Sequence, residues 1–454
     1  MSRLMSSIAH SGPWLQERME KMKEATCLAL LILAALQLGR AVAVKVVEEI
    51  LTERGQAPDA GGRCPKCGHK LESHGLKPRE VLTLIGWVKW RRRVRGCAEG
   101  CEIGQAVPSD EALGLQPYQR TSQEVKWLAC ALAVFVPFDI AAVLLGMLTG
   151  VQVCGKSIWA WVQESGQQAM EQLNAQLEAL TSGHLPAEEE MAAARQALPL
   201  LIGADGVMVP FRPAAGTPKG KTVWREVKVG ILARLGQRVT RAGKTVTQLK
   251  QRRLVAVLGD IDALSPRLWL EAVQQGILSS PKVVWLSDGA RGFWRLFDER
   301  FAKYATGVLD FYHASQNVWK GAKAWLDGRT QCARNWFATA RRRLRHGQAD
   351  IVLQDIEAAL ALEGLPLSAH QTLTNLYNYL DKHRDHIDYA KFKALGLPIG
   401  SGIVESACKW LIQQRFKGVG MRWSEDGFNH LLHLRLAWVN GRFDDLFALA
   451  APLN

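Results

Sequence analysis

At Leu198 the pattern of the chain changes. Upstream, apolar residues recur mostly at helical spacing; from here on short apolar runs are separated by polar and glycine breaks, as strands are. The order of the runs is informative. LPLLIGADGVMVPF is an apolar run ending in Asp205-Gly206 with a second run after it, and WREVKVGILARL and RLVAVLG are two further strands separated by a basic turn. SPRLWLEAVQQGI follows as a helix, KVVWLSDGA as a strand ending at Asp288, GFWRLFDERF as a helix and ATGVLDFYH as a strand. Strands joined by short turns pair antiparallel, whereas strands joined through helices pair parallel.

Three strands, helix, strand, helix, strand is the order of a ribonuclease-H-like mixed sheet, so an α/β core of that class is the expectation. In such a sheet the ends of the first and fourth strands are neighbours, and Asp205 and Asp288 occupy those ends. From Ala314 to Leu395 no strand pattern returns, and Arg-rich and acidic-apolar helices form an all-helical insertion. The stretch PIGSGIVESACKWLIQQRFKGVGMRWS (398–424) then opens on a Gly-Ser-Gly turn. Val404, Ala407, Cys408 and Leu411 recur there at helical spacing as a buried stripe, with Glu405 at its rim in the first turn. Arg415, Lys417, Arg422 and Trp423 follow, cations and an aromatic suited to phosphate contact.

Each acid has an ordinary explanation of its own. Asp-Gly between apolar runs is a common hairpin turn, an Asp before a helix is a good N-cap, and a first-turn Glu complements the helix dipole. Those explanations are independent and do not account for three acids falling where one fold brings them together. Asp260, Asp262 and Asp310 are rivals near strand ends; Asp260 and Asp262 rank lower because they lead straight into a helix from the third, edge-side strand.

A second metal chemistry is written earlier in the chain. Cys64-Pro-Lys-Cys67 and Cys97-Ala-Glu-Gly-Cys101 are two tight cysteine pairs flanking the strand pattern VLTLIGWVKW, broken at Gly86. Four thiolates on two knuckle-like turns are what a structural tetrahedral zinc requires, and the arrangement reads as a zinc ribbon. Lys89, Arg91, Arg92, Arg93 and Arg95 crowd its second strand; they are expected to touch phosphates, or else to form a solvated basic face. Nine cysteines used in this way fit a reducing compartment rather than a disulfide framework.

The formal charge of +14 points to a polyanionic partner, and sixteen tryptophans beside many cations suit nucleic-acid contact as well as cores. No signal-peptide pattern is present in the first residues. Cys27–Leu36 is an apolar run too short to span a bilayer, and Trp127–Val151 is interrupted by Pro137 and Asp139, so buried helices and no membrane partner are expected. Residues 14–54 read as a helical segment, amphipathic or dimer-forming, ending before the linker QAPDAGG. Helices at Thr121–Phe135, Phe138–Leu148 and Lys156–Glu164, with a break at Thr149-Gly150, have the layout of a helix-turn-helix, although ordinary three-helix bundles share it; Lys156 is a candidate DNA contact.

ADG (204–206), SDGARGFW (287–294), LDFYHA (309–314) and GSGIVESACK with RFKGVGMRWS together resemble the bacterial insertion-sequence transposases of the ISKra group, DDE enzymes similar to the Mutator-like superfamily. The resemblance runs from about Cys64 to the C-terminus. It implies magnesium or manganese at Asp205, Asp288 and Glu405, with the D-x-x-H element of the superfamily falling on Asp310 and His313 as accessory residues. Hard divalent ions prefer carboxylate oxygens, and a pair of them would activate a water or 3′-hydroxyl and stabilise the leaving oxygen.

The expected organisation is an N-terminal helical segment (1–60), a zinc ribbon (61–118), a helix-turn-helix-like domain (119–166) and a helical connector (167–197). The catalytic core (198–313) follows, then the helical insertion (314–397) and the C-terminal core helices (398–454). The expected function is cleavage at the terminal inverted repeats of an insertion sequence and strand transfer into target double-stranded DNA. The expected setting is a homodimer or higher oligomer on DNA, cytoplasmic and nucleoid-associated. A nuclease of the same fold and a catalytically silent DNA-binding regulator are the alternatives.

Overall fold

Five strands form one sheet in the order β5-β4-β3-β6-β7: β3 (Leu200–Phe211), β4 (Val223–Val239), β5 (Thr245–Leu258), β6 (Val283–Ser287) and β7 (Ala305–Leu309). The pairs β3–β4 and β4–β5 are antiparallel, while β3–β6 and β6–β7 are parallel, as their connections require. The structure is a computed structural model that describes residues 12–56, 62–102, 106–213, 221–243 and 245–447. The first eleven residues, most of the linker QAPDAGG and the last seven residues, all included in the expected domains, lie outside the described residues.

One expectation at β3 is corrected. The strand does not end at Asp205 but runs on to Phe211, because β4 pairs with it along its whole length, Asp205 opposite Val229 and Gly206 opposite Lys228. Only the parallel pairing with β6 stops there, at Ala204 opposite Ser287.

The described residues fall into two compact units, one up to Val162 together with Phe447, the other Gln163–Leu446. In the second, strand residues such as Ile202, Trp285, Leu286 and Val308 share one core with Leu268 and Leu264 of the Ile261–Gln274 helix. Phe311, Leu344, Leu353, Leu373 and Tyr389 of the 311–397 helices belong to the same core. Between Leu309 and the Gly402–Cys408 helix no strand occurs among the described residues, and the helices Phe311–Leu326, Gln331–Arg345, Ala349–Leu360, Leu367–Lys382 and Tyr389–Ala394 fill the interval.

In the first unit β1 (Leu71–Thr83) and β2 (Gly86–Cys97) form an antiparallel hairpin. Val81, Val88 and Trp90 face inward against Val47 and Leu51 of the Leu28–Gln56 helix. Gly55 of that helix lies so close to the Arg91 carbonyl that a Cβ would stand 2.6 Å from it. All of the apolar run Cys27–Leu36 but Cys27 itself belongs to this 29-residue helix, which is long and apolar enough by length and composition to cross a membrane. Its first turns expose Leu28, Leu30, Ile32, Leu33 and Leu36. The 127–151 run is two helices, Gln123–Phe135 and Phe138–Thr149, broken at Pro137 and ended by Gly150 in the left-handed region. The third helix does not stop at Glu164 but continues from Gly155 to Thr181, and the connector after it holds only the short Ala193–Gln196 helix.

Candidate metal centres

Three strands deliver three aspartates in one row. Ala204, Ser287 and Leu309 are direct partners across β3, β6 and β7. Asp205, Asp288 and Asp310 each directly follow one of these partners, so the end of the register brings the three acids to the same edge of the sheet. The helix carrying Glu405 (Gly402–Cys408) is brought to the same place by a missing side chain. A Cβ at Gly203 would sit 2.6 Å from Val404 Cγ2, so only glycine lets the helix rest on β3 two residues before Asp205. Val404, Ala407, Cys408 and Leu411 are buried as their spacing requires, and Glu405 is exposed at the rim. The helix continues through a π turn, Lys409–Gln413, and Lys409 Nζ stands 3.8 Å from Glu405 Oε2.

The electrostatics agree with a shared site. Burial pushes the Asp205 carboxyl above its usual range, the Gly206 N–H opposes this at 2.7 Å, and the neighbouring Asp288 and Glu405 push it further up while His313 draws it down. Asp205 thus lies within the electrostatic reach of the other two acids and of the histidine. Burial, then Asp205 and Glu405, push the Cys408 thiol up to about 12, which leaves it protonated beside the site. Asp288 accepts the Ala290 N–H at 3.1 Å on Oδ1 and is half-buried. The three carboxylates do not converge as closely as the four thiols described below. Asp205 and Asp288 are half-buried and Glu405 is exposed, and a donor set of hard oxygens open to solvent suits magnesium or manganese, which keep water and phosphate ligands.

Asp310 has a different place from the other acids. It is 1% exposed, it caps the Phe311–Leu326 helix by accepting the His313 N–H at 2.8 Å, and its other oxygen accepts the Ser401 N–H. Its own N–H donates to Ser287 O at 2.9 Å, and the Phe311 N–H donates to Ile399 O at 2.8 Å. Asp310 therefore ties β6, β7 and the start of the Glu405 helix together through its backbone and both carboxylate oxygens. The rivals Asp260 and Asp262 are occupied elsewhere: Asp260 caps the Ile261–Gln274 helix through Ala263 N, and Asp262 pairs with Arg295 at 2.7 Å.

The four thiols of Cys64, Cys67, Cys97 and Cys101 lie within 4.8 Å of one another, and Cys67 and Cys97 Sγ are 3.4 Å apart. Sulfurs ~2.3 Å from a tetrahedral zinc stand about 3.8 Å apart, so the cluster fits that ion. Burial raises the Cys64 thiol, but the Cys67 and Lys66 backbone amides outweigh it and bring it down to about 7. Hydrogen bonds with Cys67 and Cys97 push Cys101 up to about 12.

Two of the basic candidates are corrected. Along β2, Val88, Trp90, Arg92 and Val94 point inward while Lys89, Arg91, Arg93 and Arg95 alternate with them on the other side. Arg92, 7% exposed, donates to Asp110 Oδ2 at 3.0 Å and to the Lys77 and Pro78 carbonyls, so it holds the ribbon to the Pro108–Ala112 helix and has no free face for DNA. Arg415 is 2% exposed, stacks over the Trp423 ring at 5.4 Å, and is lowered to about 10 by burial and by Arg435, so it too is interior. Trp423 donates to Phe416 O at 2.9 Å and packs on Phe416 at the core edge. Lys156, Lys417 and Arg422 are exposed. Sequence reasoning missed Gly203 and Lys409 and read Ser401 only as part of the Gly-Ser-Gly turn; a glycine inside an apolar strand was the available signal for the first.

No model of a known protein family matches the chain. It is similar to a protein of Streptococcus gallolyticus described as "UPF0236 protein in vanSb 3'region", 25% identical over 389 residues that cover 84% of this chain and 76% of that one. Among solved structures it aligns with the "Drosophila P element transposase strand transfer complex" at 10% identity and a TM-score of 0.25, over 74% of this chain and 83% of that one, a score below that of a shared fold.

Proposed function

We propose that this chain is a DNA transposase of ribonuclease-H-like architecture that cleaves at the ends of an insertion sequence and joins the 3′-hydroxyls to target DNA. The observation that carries the reading is the position of Asp205, Asp288 and Asp310 directly after the paired residues Ala204, Ser287 and Leu309, with the Glu405 helix seated on Gly203. The order of three antiparallel and two parallel strands, the helical interval before Glu405 and the net charge of +14 support it.

Asp205, Asp288 and Glu405 are assigned to hold magnesium or manganese, which when bound supplies charge stabilisation at the reacting phosphate and activates its attacker. Lys409 answers the charge of Glu405 at 3.8 Å and has to give way as cations and phosphate enter. His313 moderates the charge of Asp205 from the helix side. Asp310 sets the distance between the strand ends and the Glu405 helix. The ribbon and the three helices after it are assigned to end recognition, with Lys89, Arg91, Arg93, Arg95 and Lys156 meeting phosphates. Zinc at the four cysteines holds the ribbon closed, and the protein acts as a dimer or higher oligomer on DNA.

The test is a strand-transfer assay with pre-cleaved element ends and a plasmid target. Joined products in magnesium or manganese support the reading. Cleavage with no joining under the same conditions replaces it with a nuclease of the same fold, and neither activity in the presence of specific end binding replaces it with a regulator.

A further inference from the structure

The helical interval carries a pair of arginines that lie over the ring of Phe311, the first residue after Asp310. Arg341 and Arg345 stand one turn apart on the Gln331–Arg345 helix, and their guanidinium carbons lie 5.5 and 5.9 Å from the centre of the Phe311 ring. Phe311 is the residue after Asp310, and its N–H is bonded to Ile399 O in the turn that leads to Glu405. Tyr312, exposed beside it, closes on Gly400 of the same turn, where a Cβ would meet its ring at 2.6 Å.

Neither arginine has a carboxylate within ion-pair distance among the described residues, whereas Arg343 on the same helix pairs with Asp355 and Arg329 with Asp327. Like charges one turn apart on a helix repel and destabilise it. Here two are held together over an aromatic ring with no counter-ion, against a residue adjacent to the acidic row. A guanidinium presents a planar fork of donors that matches phosphate oxygens, and stacking on a ring orients that fork.

We infer that Arg341 and Arg345 form a phosphate-binding clamp for the DNA strand lying in the acidic site, gripping the backbone beside the phosphate that reacts. The inference rests on the proposed function, since it takes DNA to be what enters the site. Its chemistry is separate: the clamp reads phosphate, while the acids hold cations. The alternative is that the two side chains only cover Phe311, as long cationic residues do on apolar surface.

The experiment compares the full chain with Arg341→Met/Arg345→Met, which keeps the cover on Phe311 and removes the charge. The control is Arg329→Met/Arg343→Met, which loses the same charge from arginines already paired. Affinity for a random-sequence DNA duplex is measured across salt, with calcium present to allow binding while supporting little cleavage. Each lost phosphate contact lowers the log–log salt slope by about 0.9, so the clamp variant is expected to be shallower by about 2 and the control unchanged. Phenylglyoxal labelling is the second readout: bound DNA is expected to protect Arg341 and Arg345 and to leave Arg329 reactive. Equal slopes for wild type and clamp variant, or equal losses in clamp variant and control, overturn the inference and leave the proposed function standing. Absence of any DNA binding by the wild-type protein overturns both.

Discussion

The Asp310 carboxylate accepts the backbone N–H of Ser401 from 91 residues further along the chain, while its other oxygen caps its own helix at His313. The acid at the end of β7 thereby sets where the Glu405 helix begins. Glu405 N–H bonds back to Ser401 O at 3.1 Å, so the position of Ser401 is passed on to the candidate ligand within a single turn.

Asp310→Ala is expected to lower stability by about 2–4 kcal/mol, the cost of leaving one buried and one part-buried amide without acceptors. Asp310→Asn has the same size but sets an NH2 against one of the two amides, so it should fold and yet misplace Glu405. Urea unfolding together with manganese binding checks this. The expected pattern is a smaller stability loss than for alanine with a clear loss of metal affinity, and full affinity in Asp310→Asn would contradict it.

The basic residues of β2 separate by parity. Arg92→Ala breaks a buried charge pair with Asp110 and is expected to cost about 3 kcal/mol or more. Arg91→Ala and Arg93→Ala lie on the other side of the strand and should change stability by no more than about 0.5 kcal/mol. Thermal unfolding of the three single variants decides it.

Much of this arrangement is legible in the sequence because periodicity is a local signal. The apolar runs gave the strand order, the glycine and proline breaks gave the helix ends near Phe135 and Thr149, and the tight cysteine pairs gave the thiol cluster. What stayed hidden depends on pairing. Asp205-Gly206 reads as a turn until a partner strand runs past it, which only the long β4 reveals. Arg92 lies at an inward register position of β2, and Arg415 falls about three turns after Val404 on the same buried face. At both positions the period, not the charge, decides burial. The contact between Asp310 and Ser401 is tertiary and leaves no pattern in either segment.

One zinc per chain is expected in protein purified without chelator, and Cys97→Ser should release it. Because Cys101 is held protonated, up at about 12, zinc uptake by the stripped protein must release protons, and affinity should rise with pH. Metal analysis and a pH-indicator titration measure the two. Zinc-free protein with an intact ribbon would contradict the assignment.

Asp205 carries a raised carboxyl, so the sign of its linkage is the reverse of an ordinary salt-bridged aspartate. Its charge costs the folded state little at acid pH and progressively more as pH rises from the unfolded value through the folded one. At neutral pH and without metal, Asp205→Asn should therefore be more stable than wild type, and the difference should vanish in acid. Manganese at a hundredfold excess over its Kd should stabilise the wild type by about 2.7 kcal/mol and the variant hardly at all. Melting curves at two pH values, with and without manganese, are sufficient.

The central claim is that Asp205, Asp288 and Glu405 act as one divalent site, and manganese-dependent DNA cleavage by single variants measures it most directly. Asp205→Asn, Asp288→Asn and Glu405→Gln keep shape and remove charge, and each should reduce cleavage by several orders of magnitude while leaving DNA binding intact. Asp260→Asn, whose acid only caps a helix through Ala263, should cleave at close to the wild-type rate. Loss of cleavage in Asp260→Asn with full activity in Glu405→Gln would contradict the site.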